Sequence, residues 1–542
     1  MKPLKTISGH IVDIENRNIY DGILHISGDR IEKITKSEDV SDQYILPGFI
    51  DSHIHIESSM LIPSEFAKIA VTHGTIGAVC DPHEIANVCG IKGVEFMIEN
   101  GKTVPFHFFN GAPSSVPATS FETSGATLGV AEIDKLLNNK DIYHLSEMMN
   151  VPGVVFNDET VSAIIDLAKK YNKPIDGHAP GISSENLKLY AKAGISTDHE
   201  CSTIDEAIEK INNGMKILIR EGSAARNFDA LVPLFDKYPE KLMFCSDDKH
   251  PDDLVKGHIN LLVKRAVKLN YKLFDVLAAA CINPVKHYNL NTGFVKVSDK
   301  ANFIVVNNLS DFDIIKTVIN GNIVAEGNVS LIETKPTTII NKFNISEITT
   351  DEIAVEYSDN EHINVIEVVD GEIFTKKILV KPTVKDNKIV QNIDDDVLKL
   401  VVVNRYNKAK PAVAFIKGFN LQSGAIASTV AHDSHNIIAV GTNDNDITSA
   451  INAIIETKGG ICCSKDGKTE ILKLPIGGLM SDLEASEVAT QYQNIDARAK
   501  QLGCKLKAPF MTLSFMALLV IPEIKLSDKG LFDGCKFEFI SL

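Results

Sequence analysis

Between residues 48 and 284, eight short apolar runs each end on polar residues, with helix-like stretches between them. The runs end near Ser52–His55, Cys80–Asp81, Phe108–Asn110, Leu145–Glu147, Gly177–His178, Asp198–His199, Ile219–Glu221 and Ser246–Asp247. Glu65–His73, Val161–Tyr171, Glu185–Ala193 and Leu254–Lys268 carry apolar residues at the helical period. Eight βα units of this kind predict an α/β fold, a (β/α)8 TIM barrel with its chemistry at the strand ends. A doubly wound sheet would want Gly-x-Gly-x-x-Gly after its first strand, and none is present.

The flanks read differently. Ile11–Ile14, Gly22–Ile26 and Arg30–Ile34 are strand-like runs broken by turn residues, and Gly293–Val297, Asn302–Val306 and Val318–Val324 have the same texture. These two β-rich segments are expected to pair into a small β-sandwich domain built from both flanks, residues 1–47 plus 285–330, around a barrel of 48–284. Residues 331–350 read as a linker or edge strand. From 335 to 542 a C-terminal α+β domain is expected, with strands at Ile363–Val369 and Leu398–Val403 and helices at Ser449–Thr457 and Ala485–Lys500.

Charge narrows the partners. Lys and Arg number 55 against 71 Asp and Glu, a net charge of −16, which gives no general attraction to phosphate backbones or anionic lipid. Neither nucleic acid nor a membrane is an expected partner. The nine cysteines include no Cys-x-x-Cys pair and read as reduced, mostly buried residues of a cytosolic chain. Asp13 and Glu15 interrupt the N-terminus before any apolar run develops, so no signal peptide is expected. The longest apolar stretch, Met511 to Pro522, is too short and interrupted to span a bilayer. A cytoplasmic location is expected.

The sharpest chemical signal is His53-Ile54-His55. Residues i and i+2 share a strand face, so both imidazoles can reach one cation. Alone, such a pair is more often hydrogen-bonded to its neighbours. Here Glu147, His178, His199 and Asp247 stand at later strand ends, where a barrel would gather them at one mouth. Imidazole and carboxylate suit Zn, Mn or Fe, and a carboxylate at the fourth strand end has an oxygen for each of two cations.

The Pro-Gly-x-x-Asp-x-His-x-His segment at 47–55, followed by His178, His199 and Asp247, resembles the amidohydrolase superfamily. The likeness is closer to its bacterial adenine deaminase family and runs the length of the chain. It is carried by 53–60, 81–88, 146–150, 177–181, 199–200, 220–227, 246–248, 431–436 and 530–534. Asn302 departs from the superfamily's usual Asp, far from the barrel mouth in sequence. The resemblance implies a binuclear centre in which one metal takes His53, His55 and Asp247, the other His178 and His199, and Glu147 bridges. Many superfamily members bridge with a carbamylated lysine, but no lysine stands at the fourth strand end. It also implies two divalent ions, Mn(2+) or Fe(2+) ahead of Zn(2+), a homodimer or higher oligomer, and hydrolytic deamination of adenine to hypoxanthine in purine salvage.

Two other deaminase designs are excluded. The small zinc deaminases need Pro-Cys-x-x-Cys, which is absent. The mononuclear purine nucleoside deaminases resemble this barrel but place a proton-donating Glu soon after the fifth-strand histidine, where this chain has Pro180-Gly181.

Further roles stay open between chemistry and structure. His83 and Glu84 either face a purine or start a helix after Asp81-Pro82. Glu200 is a proton donor or a partner orienting His199. Asp247, a ligand with a spare oxygen, is expected to take a proton from the attacking water; Asp248 beside it competes for the ligand position. Arg226 is a candidate substrate contact, although structural ion pairing is the commoner fate of arginines placed as Arg220 and Arg226 are, after strand seven. The polar cluster His432–His435 is either a turn or a loop closing over the mouth and meeting substrate. Two alternative activities share these residues: an amidohydrolase opening a cyclic amide, and a non-catalytic metal-holding scaffold.

Overall fold

A computed structural model describes residues 2–358 and 361–542. Its centre is eight parallel strands, Phe49–Ile54, Thr75–Cys80, His107–Ala112, Ile142–Met148, Ile175–Gly177, Thr197–Asp198, Lys216–Arg220 and Leu242–Cys245. The first five make one ladder and the last three another. Single bridges from Ile175 to Ile195 and from Ile54 to Asp247 join the ladders at both seams. Strand two is buried at all six residues, as a parallel strand covered on both faces must be. The helices Pro63–Ala70, Glu159–Lys170 and Ser184–Lys192 stand where the apolar period put them. Asp158 caps the second of these by accepting from the N–H groups of Thr160 and Val161.

Leu254–Lys268 is a correction: it is not one helix. A short turn, Pro251–Leu254, stops, and the next helix begins at Ile259. Between them His258 is buried, with its ring drawn in toward Asp51 and Thr75.

Strands from both flanks share one nine-stranded sheet, in which Phe303–Val306 pairs antiparallel with Tyr44–Pro47. Ile11, Leu24, Phe303 and Val318 fill its core. Gly293–Val297 is not a strand. The N–H groups of Phe294 and Lys296 both donate to Asp299 Oδ2, at 2.6 and 3.2 Å, and Val295 is left-handed at φ 64°. Residues 331–349 form no regular element before a short 3-10 turn at Thr350–Ile353.

The C-terminal region is built on an eight-stranded sheet whose inner strands include Leu398–Val403, Ile437–Gly441 and Ala425–Ser428. Helix Asp444–Thr457 buries Ile447, Ile451 and Ile454 and starts five residues before the expected Ser449, capped by Asn443. Its apolar interior is continuous with the barrel's: Ile54, Met60 and Leu61 share one cluster with Phe419, Phe510 and Phe515. The nine cysteines are free and seven are buried. Among the described residues no helix is long and apolar enough to cross a membrane.

Candidate metal centre

His53 is the second-last residue of strand one and His55 lies just beyond it, and the pleat aims both inward. Their Nε2 atoms are 3.2 Å apart. His55 Nδ1 donates to the Asp81 carbonyl at 3.1 Å, which leaves the His55 lone pair on Nε2, toward the mouth. Glu147, near the end of strand four, divides its oxygens. Oε1 is 3.4 Å from His55 Nε2, while Oε2 is 2.9 Å from His178 Nδ1 and 3.2 Å from His199 Nε2. Asp247 Oδ1 stands 3.4 Å from His53 Nε2 and 3.2 Å from His55 Nε2. His178 Nε2 is buried and has no partner among the described residues.

The donor set fits divalent cations. Imidazole nitrogens turned toward one another between two carboxylates leave lone pairs converging on common points, and no sulfur joins them. His53, His55 and Asp247 make one compact group; Glu147 joins His53 and His199 in a second, and His178, His199 and Glu200 make a third.

Arg220, at the end of strand seven, governs the charge of this mouth. Its Nη1 donates to Asp247 Oδ2 at 2.7 Å, and the guanidinium grips both oxygens of Glu200, with Nη2 to Oε2 at 3.0 Å. Burial pushes the Asp247 carboxyl up, but Arg220 and the facing histidines outweigh it and hold it well below the usual range. The second oxygen of Asp247 is therefore not spare, which corrects the expectation above. Glu200 is held low in the same way. A carboxylate clamped through both oxygens stays anionic, so its place 3.4 Å from His199 and 3.6 Å from His178 suits orienting those rings better than donating a proton.

Beneath the ligands, Asp51 ties two strand ends together. Its Oδ1 accepts the N–H groups of His53 and Ser246, at 3.2 and 3.1 Å, and its Oδ2 faces His258 Nε2 at 2.8 Å. Asp247, rather than Asp248, lies against His53 and His55; Asp248 accepts instead from the Ser58 hydroxyl.

His83 and Glu84 start the helix His83–Cys89 and stay in the cavity wall. The loop carrying His432 and Asp433 reaches over from the C-terminal sheet to meet them, and Phe515, Leu518 and Val520 complete an apolar roof. The Met511–Pro522 stretch is thus part of the site's cover. His435 sits behind Glu84 rather than facing the cavity. Arg226 is not brought in: its side chain is 52% exposed and bonds to the Gly222 and Ser223 carbonyls. Ion pairing is the fate expected of Arg220, and it pairs with both Glu200 and Asp247. Sequence reasoning missed His258 and Phe515, whose places depend on long-range packing.

The amidohydrolase family model matches residues 44–324, and the model for the adenine deaminase C-terminal domain matches 372–538. A protein of Salinibacter ruber named adenine deaminase is 50% identical over 537 residues, covering 99% of this chain and 98% of its own. One of Sulfurovum sp. with the same name is 51% identical over 535 residues, 98% of this chain and 99% of its own. A third, from Borreliella burgdorferi, is 48% identical over 542 residues, again 98% and 99%.

Proposed function

The chain belongs to the adenine deaminase family of the amidohydrolases, and from that membership we propose that it hydrolyses adenine to hypoxanthine and ammonia. The observation that carries the mechanism is the division of Glu147, one oxygen toward His55 and the other toward His178 and His199. In this reading His53, His55 and Asp247 would hold one cation and His178 and His199 a second, with Glu147 offering an oxygen to each. Mn(2+) or Fe(2+) is the expected pair, with Zn(2+) also suited to the ligands. Such cations, when bound, lower the pKa of water toward neutrality and so supply a nucleophile for C6.

The chain's own residues do the rest. Asp247 accepts the proton released as water adds on the lone pair of Oδ2 that the single bond from Arg220 leaves over. Arg220 keeps it a weak base, which suits passing that proton to the departing nitrogen rather than retaining it. Glu200, held anionic, keeps the His178 and His199 rings in place. His83, Glu84 and His432 present polar edges to the ring, and the Phe515, Leu518 and Val520 roof keeps bulk water out.

The three-part division at 1–47 with 285–330, 48–284 and 335–542 is proposed as the domain organisation. A cytoplasmic homo-oligomer acting in purine salvage, without nucleic acid or membrane partners, is the setting this reading proposes. The test is ammonia release from adenine by metal-loaded protein, run beside ring opening of cyclic amides. Ammonia with stoichiometric hypoxanthine is expected. Ring opening without ammonia, or no turnover of either, overturns the reading.

A further inference from the structure

Glu84 and His432 are 348 residues apart in the chain and meet where the C-terminal sheet covers the barrel mouth. His432 Nδ1 donates to Glu84 Oε1 at 2.7 Å, and His435 Nε2 donates to Glu84 Oε2. The backbone N–H of Ala431 donates to His435 Nδ1 at 3.3 Å, so that nitrogen carries a lone pair and the ring proton sits on Nε2. The same contact argues against a cation among Glu84, His432 and His435, close as they are. A cation on His435 Nε2 would require both ring nitrogens to be stripped of protons.

A neutral His435 satisfies one oxygen of Glu84 but does not balance its charge. His83 Nε2 is 3.3 Å from the same Oε1, but His83 Nδ1 faces Asp81 at 3.2 Å and Glu147 at 3.4 Å, so that ring is shared among three carboxylates and cannot balance Glu84 alone. The counter-ion for buried Glu84 is therefore His432, whose ring then bears protons on both nitrogens. Burial pushes the His432 pKa down, but Glu84 outweighs it and carries it up to about 9.

That leaves one donor unspent. His432 Nε2 is buried without a partner among the described residues, and the ring lines the cavity above His55 and His83. The ring is fixed in orientation. It stacks on Phe515 with centroids 5.1 Å apart and planes 22° apart, and the backbone N–H of His432 donates to the Ser514 carbonyl at 3.1 Å. Tyr406 holds the loop from behind by donating its hydroxyl to the Ser434 carbonyl at 2.6 Å. A rigid, buried N–H facing a cavity calls for an uncharged acceptor in the plane of a flat ligand.

We propose that His432, held by Glu84, determines specificity by donating its Nε2 proton to one endocyclic nitrogen of the purine ring. The inference rests on the adenine-hydrolase reading and gives the C-terminal region a direct part in recognition.

The test uses unsubstituted purine, which has no amine to lose, and its 1-deaza, 3-deaza and 7-deaza analogues. Each is titrated calorimetrically into the metal-loaded wild type and His432→Phe. For one of the three nitrogens, replacement by CH should weaken wild-type binding about tenfold or more, the usual worth of a hydrogen bond from a charged donor. The same replacement should matter less than about twofold in His432→Phe. Penalties that are equal in the two proteins for all three analogues overturn the proposal. Should His432→Phe not fold, Glu84→Gln removes the anion that keeps the ring doubly protonated. The one large penalty should then shrink, and an unchanged penalty is equally fatal. Failure of the underlying reading looks different, since the wild type would then release no ammonia from adenine.

Discussion

The His258 imidazole stands 2.8 Å from the Asp51 carboxylate, and through it the first and eighth barrel strands are held at their seam. Ile54 also bridges to Asp247, the Asp247 N–H donates to the His53 carbonyl at 2.9 Å, and the Ser246 N–H and hydroxyl donate directly to the Asp51 carboxylate that His258 holds. Both ends of this seam carry proposed ligands. Asp51 bonds the N–H groups of His53 and Ser246, so a loosened Asp51 lets two ligand-bearing backbones drift. His258→Phe should fold and lose about tenfold or more in metal affinity, the usual effect of removing a group that orients ligands. Competition with a chromophoric chelator measures it; wild-type affinity would refute the clamp.

Arg220→Met should be far more damaging. It leaves Glu200 and Asp247 buried without the guanidinium that balances them, a cost of about 3–5 kcal/mol. Lysine should rescue poorly, because one ammonium cannot reproduce the forked grip on two acids. Urea denaturation checks the stability. Arg226→Ala, whose contacts are at the surface, is the control and should shift stability by less than about 1 kcal/mol.

How far the sequence reads correctly follows from the range of each interaction. Strand ends were legible because each couples a short apolar run to a polar residue next to it, as with Leu145 and Glu147 or Phe244 and Asp247. The proposed ligands come to one mouth because the barrel requires it. Errors arose where a distant partner overrides local pattern. His258 breaks an apparently continuous helix because Asp51, 207 residues away, holds its ring. Asp299 curls a valine-containing run into a turn. The spare oxygen assigned to Asp247 was lost to an arginine 27 residues earlier. Glu84 and His432, farther apart still, carry no local signature of their meeting.

Lys525 supplies a prediction about pH. It is fully buried, its Nζ donates to the Ile373 carbonyl at 2.7 Å, and burial pushes its pKa down to about 7 from 10.5. Between about pH 7 and 10.5 the unfolded chain therefore holds a proton that the folded chain lacks, so stability rises with pH across that window. Below it both states are protonated and the full cost of the buried ammonium remains. Lys525→Met should raise the thermal midpoint most at pH 7 and progressively less toward pH 10. An equal shift at both pH values would mean that Lys525 is not buried at this cost.

The most direct test of the account is Glu147→Gln, with metal content and adenine turnover measured on the same preparation. Glutamine keeps the side chain's shape but offers one neutral carbonyl oxygen, so it cannot serve both His55 and the His178–His199 pair. Wild-type protein loaded anaerobically with Mn(2+) should hold about two ions per chain, since Glu147 turns one oxygen to His55 and the other to the His178–His199 pair. Glu147→Gln should fold normally, hold about one ion or fewer, and lose at least about a hundredfold in kcat, a loss of the size expected when a main electrostatic contributor is removed. A variant that keeps both ions and near-normal turnover would show that Glu147 is not the bridge, and the binuclear assignment would fall with it.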